Sequence, residues 1–188
     1  MDSARRLKDK ASNGDLKYDI LKMVINLRKP KLYLDTSVIS FYFAEDAPEK
    51  MAVTRKFFDE AIKNGRYEIF SSEIALRELG NCTDSILQNK LVVFAAELPV
   101  TYLPVTSQVG DLAVEFVAEG LIPEKYQEDA LHLAFALIYD IDYVVSWNFK
   151  HIVKPKTKKA VKIIALKEGF RQIEIITPEE VAANAGEI

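Results

Sequence analysis

Glu128-Asp129-Ala130-Leu131-His132-Leu133-Ala134-Phe135-Ala136-Leu137-Ile138 is apolar nearly all round after its first two residues, and Tyr143-Val144-Val145-Ser146 follows it closely. A helix without a polar face has to be enclosed by the rest of the protein. The short run after it reads as a strand. Working outward, the same alternation recurs along the chain. Strands are expected at 31–34, 67–70, 99–103, 143–146 and 173–176. Helices are expected at 48–64, from caps at Ser71 and Ser72 through Leu79, and at 84–97, 107–119, 123–139 and 158–167. Short strands separated by helices predict an α/β fold, a central parallel sheet covered by helices on both faces. In such sheets, sites form beyond the carboxyl ends of the strands.

Composition sets the outer bounds. The 188 residues are 49% hydrophobic and 28% charged, ordinary values for a folded protein. No apolar stretch approaches the ~20 residues needed to cross a bilayer. The polar opening lacks a signal-peptide core, which predicts a cytoplasmic protein. Cys82 stands alone, which excludes an intramolecular disulfide and cysteine zinc fingers, and it reads as a buried thiol. The net charge of −3 argues against a surface coated with phosphate-binding groups. The charge is unevenly spread, however: lysines crowd 150–162 with His151 and no acid, and the opening segment is also basic. Residues 1–30 read as a basic arm with a short amphipathic helix over 18–27, ended by Pro30. The main domain is expected over 31–178 and a tail over 179–188.

Three carboxylates and one amide stand out. Asp35 ends the first strand in Tyr33-Leu34-Asp35-Thr36-Ser37, which places it at the functional edge of the sheet, although an aspartate there also caps turns. Asp129 leads into the enclosed helix, where its charge needs a positive partner such as a divalent cation. The alternative is a solvated first-turn acid favoured by the helix dipole. Glu73 and Glu78 cannot share one target, because five residues at ~100° each leave them ~140° apart. Glu73 reads as a first-turn acid, and Glu78 either reaches inward or is solvated. Asn148, after Val144-Val145-Ser146-Trp147, can offer an amide oxygen or simply make a turn. His132, three residues after Asp129, lies on nearly the same helical face and reads as a support of that carboxylate or as a satisfied core histidine. Trp147 is expected to pack, and Tyr42 and Phe43 form an apolar loop that suits a partner.

Taken in order, Leu34-Asp35-Thr36-Ser37-Val38-Ile39, Ser71-Ser72-Glu73 with Glu78-Leu79, Glu128-Asp129-Ala130-Leu131-His132-Leu133-Ala134 and Val145-Ser146-Trp147-Asn148-Phe149-Lys150-His151 resemble the successive motifs of PIN-domain ribonucleases, above all the VapC-type toxins of toxin–antitoxin pairs. The resemblance spans roughly 31–178. It implies a PIN-like α/β/α sandwich with an acidic site at the strand ends, and a ribonuclease activity dependent on Mg²⁺ or Mn²⁺. Asp35, Glu78 and Asp129 would hold the metal, with Asn148 at a fourth catalytic position that is usually Asp or Asn. Ser146 matches a small hydroxyl residue that supports the site. Hard oxygen ligands of this kind suit Mg²⁺ or Mn²⁺ better than zinc. Lys150, Lys154 and Lys156 would hold flanking RNA phosphates, unless the run is a solvated helix face. The resemblance further implies a protein antitoxin as partner and a homodimer.

Two other classes compete. Asp35-Thr36-Ser37 resembles the active-site triplet of aspartic proteases, but those are built of β-hairpins, whereas this chain alternates strands with helices. A PIN-like domain without useful catalysis, serving as an RNA-binding or protein-interaction module, is kept in play by Asn148, which contributes no charge.

Overall fold

A computed structural model describes residues 28–184 of the chain. The helix expected over 18–27 lies outside the described residues. β1 (Lys31–Leu34) runs directly into Asp35, whose carboxylate accepts from the Ser37 amide and caps α1 (Thr36–Ser40). A 3-10 turn, Phe41–Phe43, leads to α2 (Pro48–Phe57), which opens on a proline that has no N–H to leave unsatisfied. The rod then winds into a π turn, Phe58–Ile62, so the helix expected over 48–64 changes pitch part-way. Gly65, at φ +61, makes the left-handed bend into β2 (Glu68–Ser72).

β2 runs two residues beyond its expected end, because both serines stay in the sheet. Ser71 Oγ donates to the Leu34 carbonyl (2.8 Å), and Ser72, last in the strand, caps α3 (Glu73–Gly80) by accepting from the Ala75 amide. Asp84 caps α4 (Ser85–Glu97) through the Ile86 and Leu87 amides. β3 (Thr101–Leu103) starts later than Pro99, which has no N–H for a ladder. α5 (Ser107–Ala118) follows. Pro123 opens a 3-10 turn, Glu124–Tyr126, rather than the helix itself, which is α6 (Gln127–Ile138). After β4 (Tyr143–Val145), α7 (Pro155–Glu168) begins earlier than expected, with Pro155 in its first turn, and Gly169 at φ +75 closes it.

β5 (Glu174–Ile176) is followed by α8 (Pro178–Asn184), where a tail was expected from 179. The reason for the difference is local and tertiary together. The Thr177 amide donates to Glu180 (2.7 Å) while the Glu180 amide donates to Thr177 Oγ1 (3.2 Å), a reciprocal cap. Val181 is then buried with Leu32, Leu34 and Phe57.

All five strands are parallel, in the order β3-β2-β1-β4-β5. Side chains alternate across the sheet. Leu32, Leu34, Ile69 and Val145 pack on the face covered by α2 and α8, while Tyr33, Val144 and Ile175 pack on the face covered by α5, α6 and α7. This is the α/β/α sandwich expected. α6 supplies seven buried residues to the second face, Phe135 among them at 0% exposure. Enclosing one such ring contributes about 2–3 kcal/mol. α1, α3 and α4 share a smaller cluster around Ile39, Leu79 and Leu91, with Cys82 at its margin. Tyr42 and Phe43 lie half-buried in the 3-10 turn. Both pack on Phe94, Tyr42 in a stack with ring centres 4.1 Å apart.

The strand order puts the topological switch between β1 and β4. β2 and β3 lie to one side of β1, and β4 and β5 to the other. Leu34 pairs with Val145, and the Asp35 amide donates to the Val145 carbonyl (3.1 Å). Asp35 and Ser146 therefore leave the sheet side by side at its carboxyl edge. At the opposite end, Arg28 pairs with Asp142 (2.6 Å), whose carboxylate also accepts from the Lys31 amide (2.7 Å), so the chain entering β1 is tied to the start of β4.

Candidate active site

The switch point collects three side chains into one group. One ligand atom each from Asp35, Glu78 and His132 lies within 4.8 Å of the others. Asp35 is 4% exposed, and its Oδ2 accepts from the hydroxyls of Ser37 (2.6 Å) and Ser146 (2.5 Å). Ser37 Oγ in turn accepts from the Trp147 amide (2.9 Å), and Ser146 Oγ from the Asn148 amide (2.9 Å). The loops after β1 and β4 thus clamp the carboxylate from two sides, and Oδ1 faces His132, with 3.8 Å to Nε2.

Glu78 reaches inward from α3. Its Oε2 accepts from the Thr36 hydroxyl and lies 3.1 Å from His132 Nε2. Glu73, five residues earlier on the same helix, turns elsewhere, as the spacing predicts, and accepts from the Val105 amide (3.1 Å).

His132 is buried and has both ring nitrogens engaged, Nε2 with Glu78 and Nδ1 with the Tyr33 hydroxyl (2.7 Å). Tyr33 also donates to Ser72 Oγ (2.7 Å). Burial works against a charged imidazole, but the Glu78 hydrogen bond and the nearby carboxylates outweigh it and raise the His132 pKa. The same contacts overcome burial at Glu78 and lower its pKa. Both shifts describe an imidazolium–carboxylate pair. Burial, above all, pushes the Tyr33 hydroxyl well above its usual pKa, so it keeps its proton as a link in this chain.

Asp129 stands beside the group rather than inside it. Its Oδ1 accepts from Asn148 Nδ2 (2.8 Å), and burial, followed by the charge of Asp35, raises its pKa to about 6. Asn148 makes the turn that its sequence position suggested, and its side-chain oxygen is spent there rather than on the site. Its amide nitrogen meets Asp129, and its Oδ1 accepts from the His151 amide (3.0 Å), which shapes the turn. An open cleft of about 480 Å³ is lined by Glu78, Asp129 and Asn148 together with Lys125, Tyr126 and His151. Trp147 packs, as expected, with its indole N–H on Thr54 (2.8 Å).

The lysine run divides. Lys150 and Lys154 precede α7 and bear on His151 in the cleft. Lys156 is exposed in the first turn of α7. Lys158 and Lys162 line a different hollow, beside β5.

Two contributors escaped the sequence reading. Tyr33 looked like an ordinary strand residue, and only its turn towards α6 makes it the anchor of His132. Thr36 entered only as a neighbour of Asp35 in the first motif, but its hydroxyl orients Glu78. Neither carries a signal in the sequence beyond lying next to Asp35.

Among solved structures, the chain is similar to VapBC2 from Rickettsia felis, crystallised with a DNA fragment from its promoter. The match is 19% identical over 67% of this chain and 94% of that one, with a TM-score of 0.47. No protein-family model matches the chain. No curated protein matches it.

The donor set fits a divalent cation. Two carboxylates on rigid supports suit a hard ion, and the imidazole can join them only after losing its proton. The group differs from the expected Asp35–Glu78–Asp129 set by having His132 at its centre. Among the described residues no helix is long and apolar enough to cross a membrane.

Proposed function

We propose that this chain is a divalent-metal-dependent endoribonuclease and the toxin of a toxin–antitoxin pair. The observation that carries the first part is the meeting of Asp35 and Glu78 at the switch point of a parallel sheet, with Asp129 opening onto the cleft beside them. The order of the four motifs supports the second part. It also supports a protein antitoxin as partner and a homodimeric assembly.

A divalent ion, when bound there, would supply positive charge for the phosphate oxygens and lower the pKa of a nearby water. The remaining chemistry belongs to the chain. Asp35, immobilised by two serine hydroxyls, and Glu78, aimed by Thr36, would hold the ion. His132 balances their charge and keeps them facing each other. Asp129 has Oδ1 committed to Asn148, which leaves Oδ2 to take the proton of the attacking water, and a pKa near neutrality suits a general base. Lys150, Lys154 and Lys156 contribute cations for neighbouring phosphates.

Asn148 favours a second reading, a domain that binds RNA or protein without cutting. Its amide serves Asp129 and the turn and adds no negative charge for a second ion.

Cleavage of a mixed pool of RNAs with Mg²⁺, Mn²⁺ or EDTA, beside Asp35→Asn, separates the two. The expected result is metal-dependent cutting that falls at least ~100-fold in the variant, whose fold is checked by circular dichroism. Equal cutting by the variant would remove Asp35 from the site. A folded wild-type protein that cuts nothing in any metal would favour the binding module.

A further inference from the structure

The cleft that holds Glu78, Asp129 and Asn148 is also lined by Lys125, Tyr126 and His151, with Glu124, Gln127 and Glu128 beside them. The Tyr126 and His151 rings lie 3.6 Å apart, centre to centre, at 32°. Lys125 Nζ stands 4.9 Å from the centre of the Tyr126 ring. These residues are registered to the carboxylates through the backbone. Tyr126 ends the 3-10 turn that leads into α6, one turn before Asp129. The His151 amide donates to Asn148 Oδ1, and Asn148 Nδ2 donates to Asp129. The backbone that carries the stacked pair is thereby tied to Asn148 and Asp129.

His151 has an unspent group. Its Nδ1 is buried without a hydrogen-bond partner. Burial, and then the charges of Lys150, Lys154 and Lys125, hold its pKa below the ordinary value. Aromatic faces beside cations are how proteins hold unpaired nucleotides, since every base has a face to stack and every link a phosphate to pair. The acidic residues alone would repel such a polymer.

We propose that Lys125, Tyr126 and His151 form a nucleotide subsite beside the carboxylates, where an unpaired base stacks on the Tyr126–His151 pair and a flanking phosphate pairs with Lys125. The identity of the polymer as RNA rests on the ribonuclease reading; the subsite itself does not depend on cleavage. A base inside a duplex has both faces covered by its neighbours, so the subsite selects single strands and loops.

The test is fluorescence anisotropy with a labelled single-stranded RNA of mixed sequence, in Mg²⁺, using full-length Asp35→Asn as the uncleaving parent. Tyr126→Leu keeps apolar bulk against the core but removes the stacking face, and should weaken binding about tenfold. Lys125→Glu changes an exposed side chain, should weaken binding severalfold, and should lower the salt dependence by about one counterion. The same RNA annealed to its complement should bind the parent more weakly. Parental affinity in both variants, or equal affinity for the duplex, overturns the subsite even if the wild-type protein is an active nuclease. Weakened binding in both, with a wild-type protein that never cuts, supports the subsite and removes the nuclease reading instead. If Tyr126→Leu melts early, Lys125→Glu and the duplex comparison decide.

Discussion

Asp129 is the carboxylate whose surroundings suit its charge least. Burial and the charge of Asp35 raise its pKa to about 6, so the folded protein binds this proton more tightly than the unfolded chain does. Its contribution to stability is therefore fully present below an unfolded pKa near 4 and is lost as pH rises through about 6. Asp129→Asn keeps the oxygen that accepts from Asn148 and removes the misplaced charge. In EDTA at pH 7.5 the variant should be more stable than wild type by about 1–2 kcal/mol, a figure reduced for the solvent reaching the cleft side. The gap should close as pH falls from about 6 to about 4. Thermal melts of both proteins across this range check it, and a gap that stays constant with pH would contradict the assignment. The sequence showed the oddity of an acid leading into an apolar helix. It did not show that Asn148 and the cleft would supply half of the answer.

α8 is an element that the sequence contained and the sequence reading passed over. Thr177-Pro178-Glu179-Glu180 has the spacing of a reciprocal N-terminal cap with proline in the first turn, but the apolar run that follows is short, with Val181 as its large member. A lone valine cannot announce that it completes a core. Val181 does so because α2 and β1 leave a place for it beside Leu32 and Phe57. Val181→Ala should cost about 1–3 kcal/mol in urea unfolding, and Val181→Asp considerably more. Wild-type stability in Val181→Asp would mean that α8 is detachable. α3 teaches the complementary lesson. Its start at Ser72 and the divergence of Glu73 from Glu78 were both legible from local chemistry, because a cap and a 100° turn need only near neighbours.

At the scale of the whole molecule, the sheet order creates the site. Metal binding should therefore read out as global stability. At ~100 times its Kd, a ligand adds about 2.7 kcal/mol, or about 5–10 °C in Tm for a domain of this size. Mn²⁺ should raise the Tm of the wild-type protein, and Asp35→Asn should abolish the rise. Asp129→Asn should keep most of it, since Asp129 stands outside the group formed by Asp35, Glu78 and His132. Loss of the rise in Asp129→Asn as complete as in Asp35→Asn would return Asp129 to the coordination group, as the motif resemblance implied.

The sequence by itself determined the alternation of strands and helices, the enclosure of α6, most caps, and the placing of Asp35 at a strand end. These follow from interactions within a few residues or from hydrophobic patterning, and both are written locally. Tertiary structure decided which groups meet. The pairing of Leu34 with Val145 brings Ser146 to Asp35 across 111 residues, and the inward face of α6 carries His132 between Asp35 and Glu78. A histidine's role, core filler or partner of two carboxylates, depends on what stands opposite it, and no local pattern encodes that. The division of the lysine run has the same cause, since the onset of α7 at Pro155 turns successive lysines towards different hollows.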